Sequence, residues 1–205
     1  MKNAGKKENP VELVTRELEE SARVKSVMAQ SLANAIADAA QKILDAYREG
    51  KKVFLIGNGG SAADAQHIAA ELVGRFKLKR RALPAIALTT DTSVLTALAN
   101  DYGYNAIFSR QLEALANDKD VLIAITTSGT SPNILTAVEA AREKGMFVIG
   151  LTGEKGGGLK EAADLTIAVP SNDTPRIQEA HITIGHIICH LVEESLFNES
   201  SGISR

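Results

Sequence analysis

The chain alternates short, continuous apolar runs with longer stretches in which apolar residues recur every three or four positions. A short run bounded by turn residues is typical of a buried strand, and the longer spacing is typical of an amphipathic helix. The predicted strands are Val53–Ile56, Ala85–Leu88, Val121–Ile125, Phe147–Leu151 and Leu165–Val169. Helices are predicted from Ser61 onward and over residues 92–100, 105–116, 131–144 and 157–162. Because parallel neighbouring strands need crossover helices, this alternation predicts a doubly wound α/β domain with a parallel sheet covered on both faces.

Helical patterns also begin and end the chain. Residues 10–49 have the spacing of one or two helices, and we expect the whole segment 1–49 to pack on the sheet or against a partner subunit. Pro175 to Phe197 forms a long, very apolar final helix, and the polar tail 198–205 is predicted to be disordered. No linker divides the chain, so we expect a single domain over residues 1–205.

Composition narrows the classes of protein. The 205 residues are 44% hydrophobic with a formal net charge of −2, which fits a globular protein and argues against a nucleic-acid or anionic-lipid partner. The one basic cluster, Lys77–Arg81, is interpreted as a solvated loop. Neither a signal peptide nor a membrane anchor is visible, which predicts a cytoplasmic location. The single cysteine, Cys189, lies in an apolar run and is expected to be a packed core thiol.

The first predicted strand leads into a glycine-rich turn, Gly57-Asn58-Gly59-Gly60, and then into a helix. The start of a helix has unpaired N–H groups and a positive dipole end, so the turn is a candidate anion site. The turn also satisfies G-x-G-x-x-A, a weak dinucleotide fingerprint. That interpretation lacks the acidic residue expected about 20 positions later. A purely structural tight turn remains the other alternative.

A second loop, Thr126-Thr127-Ser128-Gly129-Thr130-Ser131, follows the third predicted strand. Ser131 before Pro132 is the expected N-cap of the next helix. Ordinary capping explains Ser131 but not the other four hydroxyls, so we favour a phosphate site here. In an open α/β sheet both loops lie at the carboxyl ends of strands, where ligands bind.

Two helices carry candidate catalytic or metal-binding side chains. His67, Glu71 and Arg75 recur every four residues and therefore share one helix face. Spacing alone leaves open whether His67 and Glu71 are functional or merely solvated. The final helix carries an unusual set of polar residues in an apolar segment, namely Gln178, His181, His186 and His190. Buried imidazoles need hydrogen-bond partners.

Several motifs together resemble the sugar isomerase (SIS) domain family and, within it, the phosphoheptose isomerases. The resemblance runs from about residue 10 to residue 197. The motifs that carry it are Gly57-Asn58-Gly59-Gly60-Ser61, Gln66-His67-Ile68-Ala69-Ala70-Glu71-Leu72, Ala99-Asn100-Asp101, Thr127-Ser128-Gly129 and Asp173-Thr174-Pro175-Arg176-Ile177-Gln178-Glu179. In the second loop Thr126 stands where a serine is common, which keeps the hydroxyl.

The resemblance implies a flavodoxin-like, three-layer αβα fold with a five-stranded parallel sheet, in a homotetramer with sites at subunit contacts. It implies interconversion of sedoheptulose 7-phosphate and D-glycero-D-manno-heptose 7-phosphate, the first step toward ADP- or GDP-heptose for lipopolysaccharide, capsule or another glycan. It implies one Zn²⁺ per subunit, held by residues matching His67, Glu71, Gln178 and His186. The residues implied to bind the sugar phosphate are Asn58, Gly59, Gly60, Ser61, Glu71, Asn100, Asp101, Thr126, Thr127, Ser128, Ser131 and Gln178.

The reaction requires a base that moves a proton between adjacent carbons, and we assign Glu71 to it with His186 as its acid–base partner. Two difficulties accompany this assignment. A carboxylate bound to zinc is a poorer base. Gln178 and His186 are also roughly 12 Å apart along a regular helix, whereas His186 and His190 are better spaced to share an ion. We expect another chain, or an irregular helix start after Pro175, to close that gap.

Two non-enzymatic alternatives belong to the same family. One is a SIS protein that binds the bacterial replication initiator, in which the positions of Glu71 and His186 carry residues unable to do acid–base work. The other is a sugar-phosphate-sensing regulator, which usually carries a DNA-binding module, and residues 1–50 contain no basic recognition helix. Glu71 and His186 are both present, so the isomerase is favoured.

Overall fold

The apolar runs form the strands of one sheet in the computed structural model, which describes residues 9–198. The strands are β1 (Val53–Gly57), β2 (Ala85–Ala87), β3 (Val121–Ile125), β4 (Phe147–Gly153) and β5 (Leu165–Val169). The helices are α1 (Pro10–Ser31), α2 (Ala33–Arg48), α3 (Gly60–Val73), α4 (Thr92–Tyr102), α5 (Ser109–Leu115), α6 (Pro132–Glu143), α7 (Gly157–Ala162) and α8 (Thr174–Phe197).

The strand order is β2-β1-β3-β4-β5, and every neighbouring pair is parallel. This is the doubly wound, flavodoxin-like order, so the predicted fold class is confirmed. The order reverses between β1 and β3, where Gly57 lies beside Ile125. The loops after these two strands therefore flank the crevice in which open α/β sheets bind ligands.

Side-chain alternation along each strand divides the core into two layers. Val53 and Leu55 of β1 face a core built with α1, α2, α3 and α8. Phe54 and Ile56 face the opposite core, which α5, α6 and α7 complete. Because successive strand side chains point to opposite faces, a continuous apolar run is buried on both sides.

The N-terminal segment packs on the domain only in part. Helix α2 buries one whole face, including Ile43 and Leu44, whereas only Val24 and Met28 are buried in α1. The apolar side chains near the start of α1 are exposed, and they include Val11, Val14 and Leu18. Residues 1–8 and 199–205, which include most of the tail predicted to be disordered, lie outside the described residues.

Two local predictions need correction. The helix predicted over residues 105–116 is a 3-10 turn, Tyr104–Ala106, followed by α5, because Ile107 and Phe108 turn into the second core between them. The cluster Lys77–Arg81 is not simply a solvated loop, because the Arg80 side chain is only 2% exposed and pairs with the buried Glu193.

The core burial of Cys189 is confirmed, and burial raises the pKa of its thiol to about 12. Across residues 9–198, no helix has the length and apolar character needed to span a membrane.

Candidate active site

Helices α3 and α8 run side by side in the same direction, and their contacts occur at matching levels. At the start of α3, a Cβ on Gly60 would lie 2.9 Å from the Gln178 Cδ atom. Farther along, Ile68 lies within 2.5 Å of the Cβ position of Gly185. A step of eight residues along α3 is therefore matched by a step of seven along α8. Side chains on the facing surfaces of α3 and α8 meet in pairs, and the two members of each pair are more than a hundred positions apart in the sequence.

The middle level of this contact brings together His67, Glu71 and His186. The Nε2 atom of His67 lies 3.2 Å from Oε1 of Glu71 and 3.1 Å from Nε2 of His186. One ligand atom from each residue lies within 4.8 Å of the others. The rings of His67 and His186 meet edge to face, with centroids 5.0 Å apart. His67 is exposed and the other two are half-buried, so the cluster is open to a ligand.

The donor set of this trio suits zinc. Ligand atoms about 2.0–2.2 Å from one tetrahedral zinc ion lie about 3.3–3.6 Å apart, close to the separations of His67 from Glu71 and from His186. Two imidazoles and one carboxylate also leave at least one coordination position of such an ion for a further ligand. The residues could therefore hold a divalent metal ion.

Gln178 does not share this level of the helix pair. It lies beside Gly60 at the start of α3, and His67 is about 10 Å farther along the axis. Helix α8 is regular from Thr174, so the irregular helix start that we expected after Pro175 is wrong. The other expected route, a Gln178 supplied by another chain, stays a prediction.

The other two histidines of α8 have separate environments. His190 contacts Lys77 Nζ at 3.3 Å and Glu194 at 3.6 Å and does not join His186 in the cluster. His181 is fully buried, with Nε2 3.3 Å from the carbonyl oxygen of Thr152. Burial lowers the pKa of His181 to about 4, although the contact with Thr152 works in the other direction.

Asn58 in the first loop is held by two residues that sequence reasoning missed. Its side-chain amide exchanges two 2.9 Å hydrogen bonds with the buried Asn133 of α6. The hydroxyl of Tyr104 also donates to Asn58 Oδ1 at 3.1 Å. These contacts tie the first loop to the helix that follows the second loop. No local pattern marks Asn133 or Tyr104, because their partner is distant in sequence.

The hydroxyls of the second loop converge on one another. Thr126 Oγ1 lies 3.4 Å from Ser128 Oγ and 3.3 Å from Ser131 Oγ, and Thr130 donates to Ser128. Ser131 occupies the N-cap of α6 as predicted, but its side chain makes no capping hydrogen bond. The hydroxyl group is therefore turned toward Thr126. Pro132 has no N–H group and those of Ile134 and Leu135 donate to the Ser131 carbonyl, so the attraction of the α6 N-terminus for an anion comes mainly from the helix dipole.

Clefts adjoin both loops. A cleft of about 230 Å³ lies between the first loop, which includes Asn58 and Gly59, and α4. A second cleft of about 350 Å³ is lined by Thr127, Ser128 and Thr130. Asn100 and Asp101 lie exposed near the end of α4, where the Asn100 amide donates to Asp101. Within residues 9–198 they bond to each other and not to the trio.

Comparisons with known proteins establish the family and the fold of this chain. The family model described as the SIS domain matches residues 18–153. The chain is 57% identical over 187 residues to the phosphoheptose isomerase of Geobacter sp. strain M21, covering 91% of this chain and 97% of that protein. The chain belongs to the phosphoheptose isomerase family. It is also 58% identical over 184 residues to the family member from Citrifermentans bemidjiense, covering 90% and 96%.

A solved family structure shares the whole fold. The phosphoheptose isomerase from Francisella tularensis superimposes with a TM-score of 0.89 at 40% identity. The match covers 91% of this chain and 100% of that structure. The αβα architecture is therefore that of the phosphoheptose isomerase family over nearly the whole described chain.

Proposed function

We propose that this chain is an aldose–ketose isomerase that converts sedoheptulose 7-phosphate to D-glycero-D-manno-heptose 7-phosphate. The observation that carries the proposal is the meeting of His67, Glu71 and His186 on adjacent helices of a phosphoheptose isomerase fold. The cluster joins a carboxylate to two imidazoles, and the two loops of the same domain supply amides and hydroxyls. Those groups suit proton transfer on an anionic sugar.

The proposed mechanism transfers one proton between neighbouring carbons. Glu71 removes a proton from C1 of the ketose, and the electron pair of that C–H bond forms the C1–C2 double bond of an enediol(ate). His186 moves a proton between the C1 and C2 oxygens. Glu71 then returns its proton to C2, which leaves the aldehyde at C1. Atoms and electrons balance without any external oxidant or reductant.

The metal proposal assigns one Zn²⁺ per subunit to His67, Glu71 and His186, with Gln178 of another subunit as the fourth ligand. A bound divalent ion would polarise the carbonyl oxygen of the sugar. The side chain of Glu71 has two oxygens, so the same carboxylate would be able to serve as a metal ligand and as the base. This division of roles addresses the weaker basicity expected of a metal-bound carboxylate.

Recognition of the sugar phosphate is assigned to the two loops. The hydroxyls of Thr126, Thr127, Ser128 and Ser131 would hold the phosphate at the N-terminus of α6, where the positive end of the helix dipole favours an anion. In the first loop, Asn58, Gly59, Gly60 and Ser61 would contact the sugar. Glu71 and Gln178 would contact its reacting end, and Asn100 and Asp101 would approach from α4.

We further propose a homotetramer of single SIS domains that works in the cytoplasm and supplies heptose for lipopolysaccharide. Its support is the exposed apolar side of α1, with Val14 and Leu18, which a neighbouring subunit would cover. A charged sugar phosphate substrate and the unpaired thiol of Cys189 suit a reducing cellular compartment. Neither nucleic acid nor a membrane is needed as a partner.

The decisive experiment follows turnover of sedoheptulose 7-phosphate by the parent, with and without a chelator, and by Glu71→Gln. We expect the variant to lose at least about a hundredfold in kcat, because it cannot accept the proton. Glu194→Gln is the matched control, since Glu194 also pairs with a histidine four residues away on a helix, His190. No turnover by the parent would favour the non-catalytic SIS alternatives, and full activity of Glu71→Gln would overturn the assignment of the base.

A further inference from the structure

The carboxylate of Glu193 is a fully buried hydrogen-bond hub on α8. It accepts hydrogen bonds from the backbone N–H groups of Phe76 at 3.1 Å, Lys77 at 2.6 Å and Leu78 at 2.9 Å. Arg80 Nε donates a fourth bond at 2.9 Å. Its side chain is 0% exposed, so these four donors replace water around a charged group. One side chain of α8 therefore fixes the segment that follows α3.

Arg80 connects the same hub to the end of α3. Its Nη2 donates to the carbonyl oxygen of Glu71 at 2.8 Å, and its Nη1 donates to those of Leu72 at 2.8 Å and Gly74 at 3.1 Å. The last carbonyls of a helix lack partners within the helix and carry the negative end of its dipole. The planar guanidinium satisfies several of them at once. One of these carbonyls belongs to Glu71, the proposed base.

The hub also reaches His186 through Phe76. The Phe76 ring lies 5.4 Å from the His186 ring, tilted by 32°. The backbone of Phe76 is held by Glu193, which lies two helical turns beyond His186 on α8. The helix bearing His67 and Glu71 and the helix bearing His186 are thus joined by the hydrogen bonds of Glu193 and Arg80 and by the ring contact of Phe76.

We infer that Glu193 and Arg80 are positioning residues that set the separation of the facing surfaces of α3 and α8, and with it the geometry of the His67–Glu71–His186 cluster. This inference rests on the proposed function. Neither residue belongs to the trio, so they act through the backbone of Glu71 and the ring of Phe76. Groups that orient metal ligands in this way commonly change metal affinity when they are altered.

The charge state of the hub agrees with this role. Burial works to raise the pKa of the Glu193 carboxyl. The backbone N–H groups of Lys77, Leu78 and Phe76, together with Arg80, outweigh burial and bring that pKa below its usual value. Glu193 is therefore an anion at neutral pH, as its four donors require.

A purely stabilising role is the competing explanation, and the chain contains a matched buried pair to test it. Asp120 is 1% exposed and pairs with Lys52 Nζ at 3.2 Å. It accepts bonds from the backbone N–H groups of Lys52 at 3.0 Å and Asn117 at 2.8 Å. This pair lies at the amino ends of β1 and β3, whereas the two candidate binding loops follow the carboxyl ends of these strands. Asp120→Asn thus changes a comparable hub far from the cluster.

The test compares Glu193→Gln with Asp120→Asn in the full chain. Zinc affinity of the folded apoprotein is measured by competition with a chromophoric chelator, below the unfolding temperature of each variant. We expect Glu193→Gln to bind zinc about 10–100-fold more weakly. The NH₂ group of the new amide cannot accept a hydrogen bond, so at least one of the four donors loses its acceptor and α3 and α8 can shift relative to each other. The kcat of this variant should fall while KM for the sugar phosphate stays within about twofold. Asp120→Asn should lose stability but keep the parent's zinc affinity.

A second variant, Arg80→Lys, covers the case in which Glu193→Gln does not fold. Lysine keeps the charge beside Glu193 but cannot bond several carbonyls of α3 at once, so its zinc affinity should also fall. Parental zinc affinity in the folded variants, or an equal loss in Asp120→Asn, would overturn the inference. Failure of the parent itself to bind zinc would instead overturn the metal proposal, and this inference with it.

Discussion

His181 makes the stability of this protein depend on pH in a predictable direction. The side chain is fully buried, and burial lowers its pKa from 6.5 to about 4. The folded state therefore keeps the imidazole neutral at pH values where the unfolded chain binds a proton. Stability from this group is fully present above pH 6.5 and is lost as the pH falls from 6.5 toward about 4.

The size of the effect follows from the same two pKa values. The whole difference corresponds to about 3 kcal/mol of unfolding free energy, of which about 2 kcal/mol is lost between about pH 7 and pH 5. Glu193 contributes in a lower range, because its pKa is below the ordinary value of 4.5. That contribution is present above pH 4.5 and is lost only at more acidic pH. The contributions of His181 and Glu193 to stability are therefore lost in different pH ranges.

The assay is equilibrium urea unfolding followed by circular dichroism at a series of pH values, at one protein concentration and with chelator present. His181→Gln keeps a donor for the Thr152 carbonyl but does not titrate, so its stability should depend less on pH than that of the parent. His190→Gln is the control, because His190 is partly exposed on the same helix. Parallel pH dependences of the parent and His181→Gln between about pH 7 and pH 5 would refute the reasoning.

Three substitutions in the loops and near Gln178 have distinct expected effects. Gly60→Ala would place a Cβ 2.9 Å from the Gln178 Cδ atom, so we expect kcat to fall about tenfold with less than about 1 kcal/mol of lost stability, since the flexible amide can move aside. Gly129→Ala would set a Cβ 2.5 Å from the carbonyl carbon of Gly156 at a φ of +69°, and should cost about 3 kcal/mol or more in urea unfolding. Ser128→Ala removes a hydroxyl from the phosphate loop and should raise KM about tenfold with kcat nearly unchanged, as steady-state kinetics would reveal.

Controls separate the causes in these experiments. Gly50 has a φ of +73° but no neighbouring atom within 4 Å of its Cβ position, so Gly50→Ala measures the cost of backbone strain alone. An equal cost at Gly50 and Gly129 would contradict the steric argument. An unchanged kcat in Gly60→Ala would argue against a catalytic role for Gln178. A Ser128→Ala variant with lower kcat and unchanged KM would contradict the assignment of phosphate binding to that loop.

Local patterns in the sequence predicted most of the fold, because each strand of a parallel sheet that is buried on both faces is a short, continuous apolar run. The runs Val121–Ile125 and Leu165–Val169 match β3 and β5 to the residue. The exception at residues 105–116 arose where Ile107 and Phe108 turn into the core and override helix propensity. The i,i+4 spacing of His67 and Glu71 likewise predicted a shared face, since 3.6 residues complete one turn.

Residue order by itself determined the strands, the two candidate binding loops and the neighbouring positions of His67 and Glu71, because each depends on spacings of a few residues. The tertiary structure decided that His186, 119 residues from His67, completes the cluster and that His190 does not. It also decided that Arg80 is buried against Glu193. Contacts across such separations depend on how α3 and α8 align after the sheet has formed, and no local periodicity records that alignment.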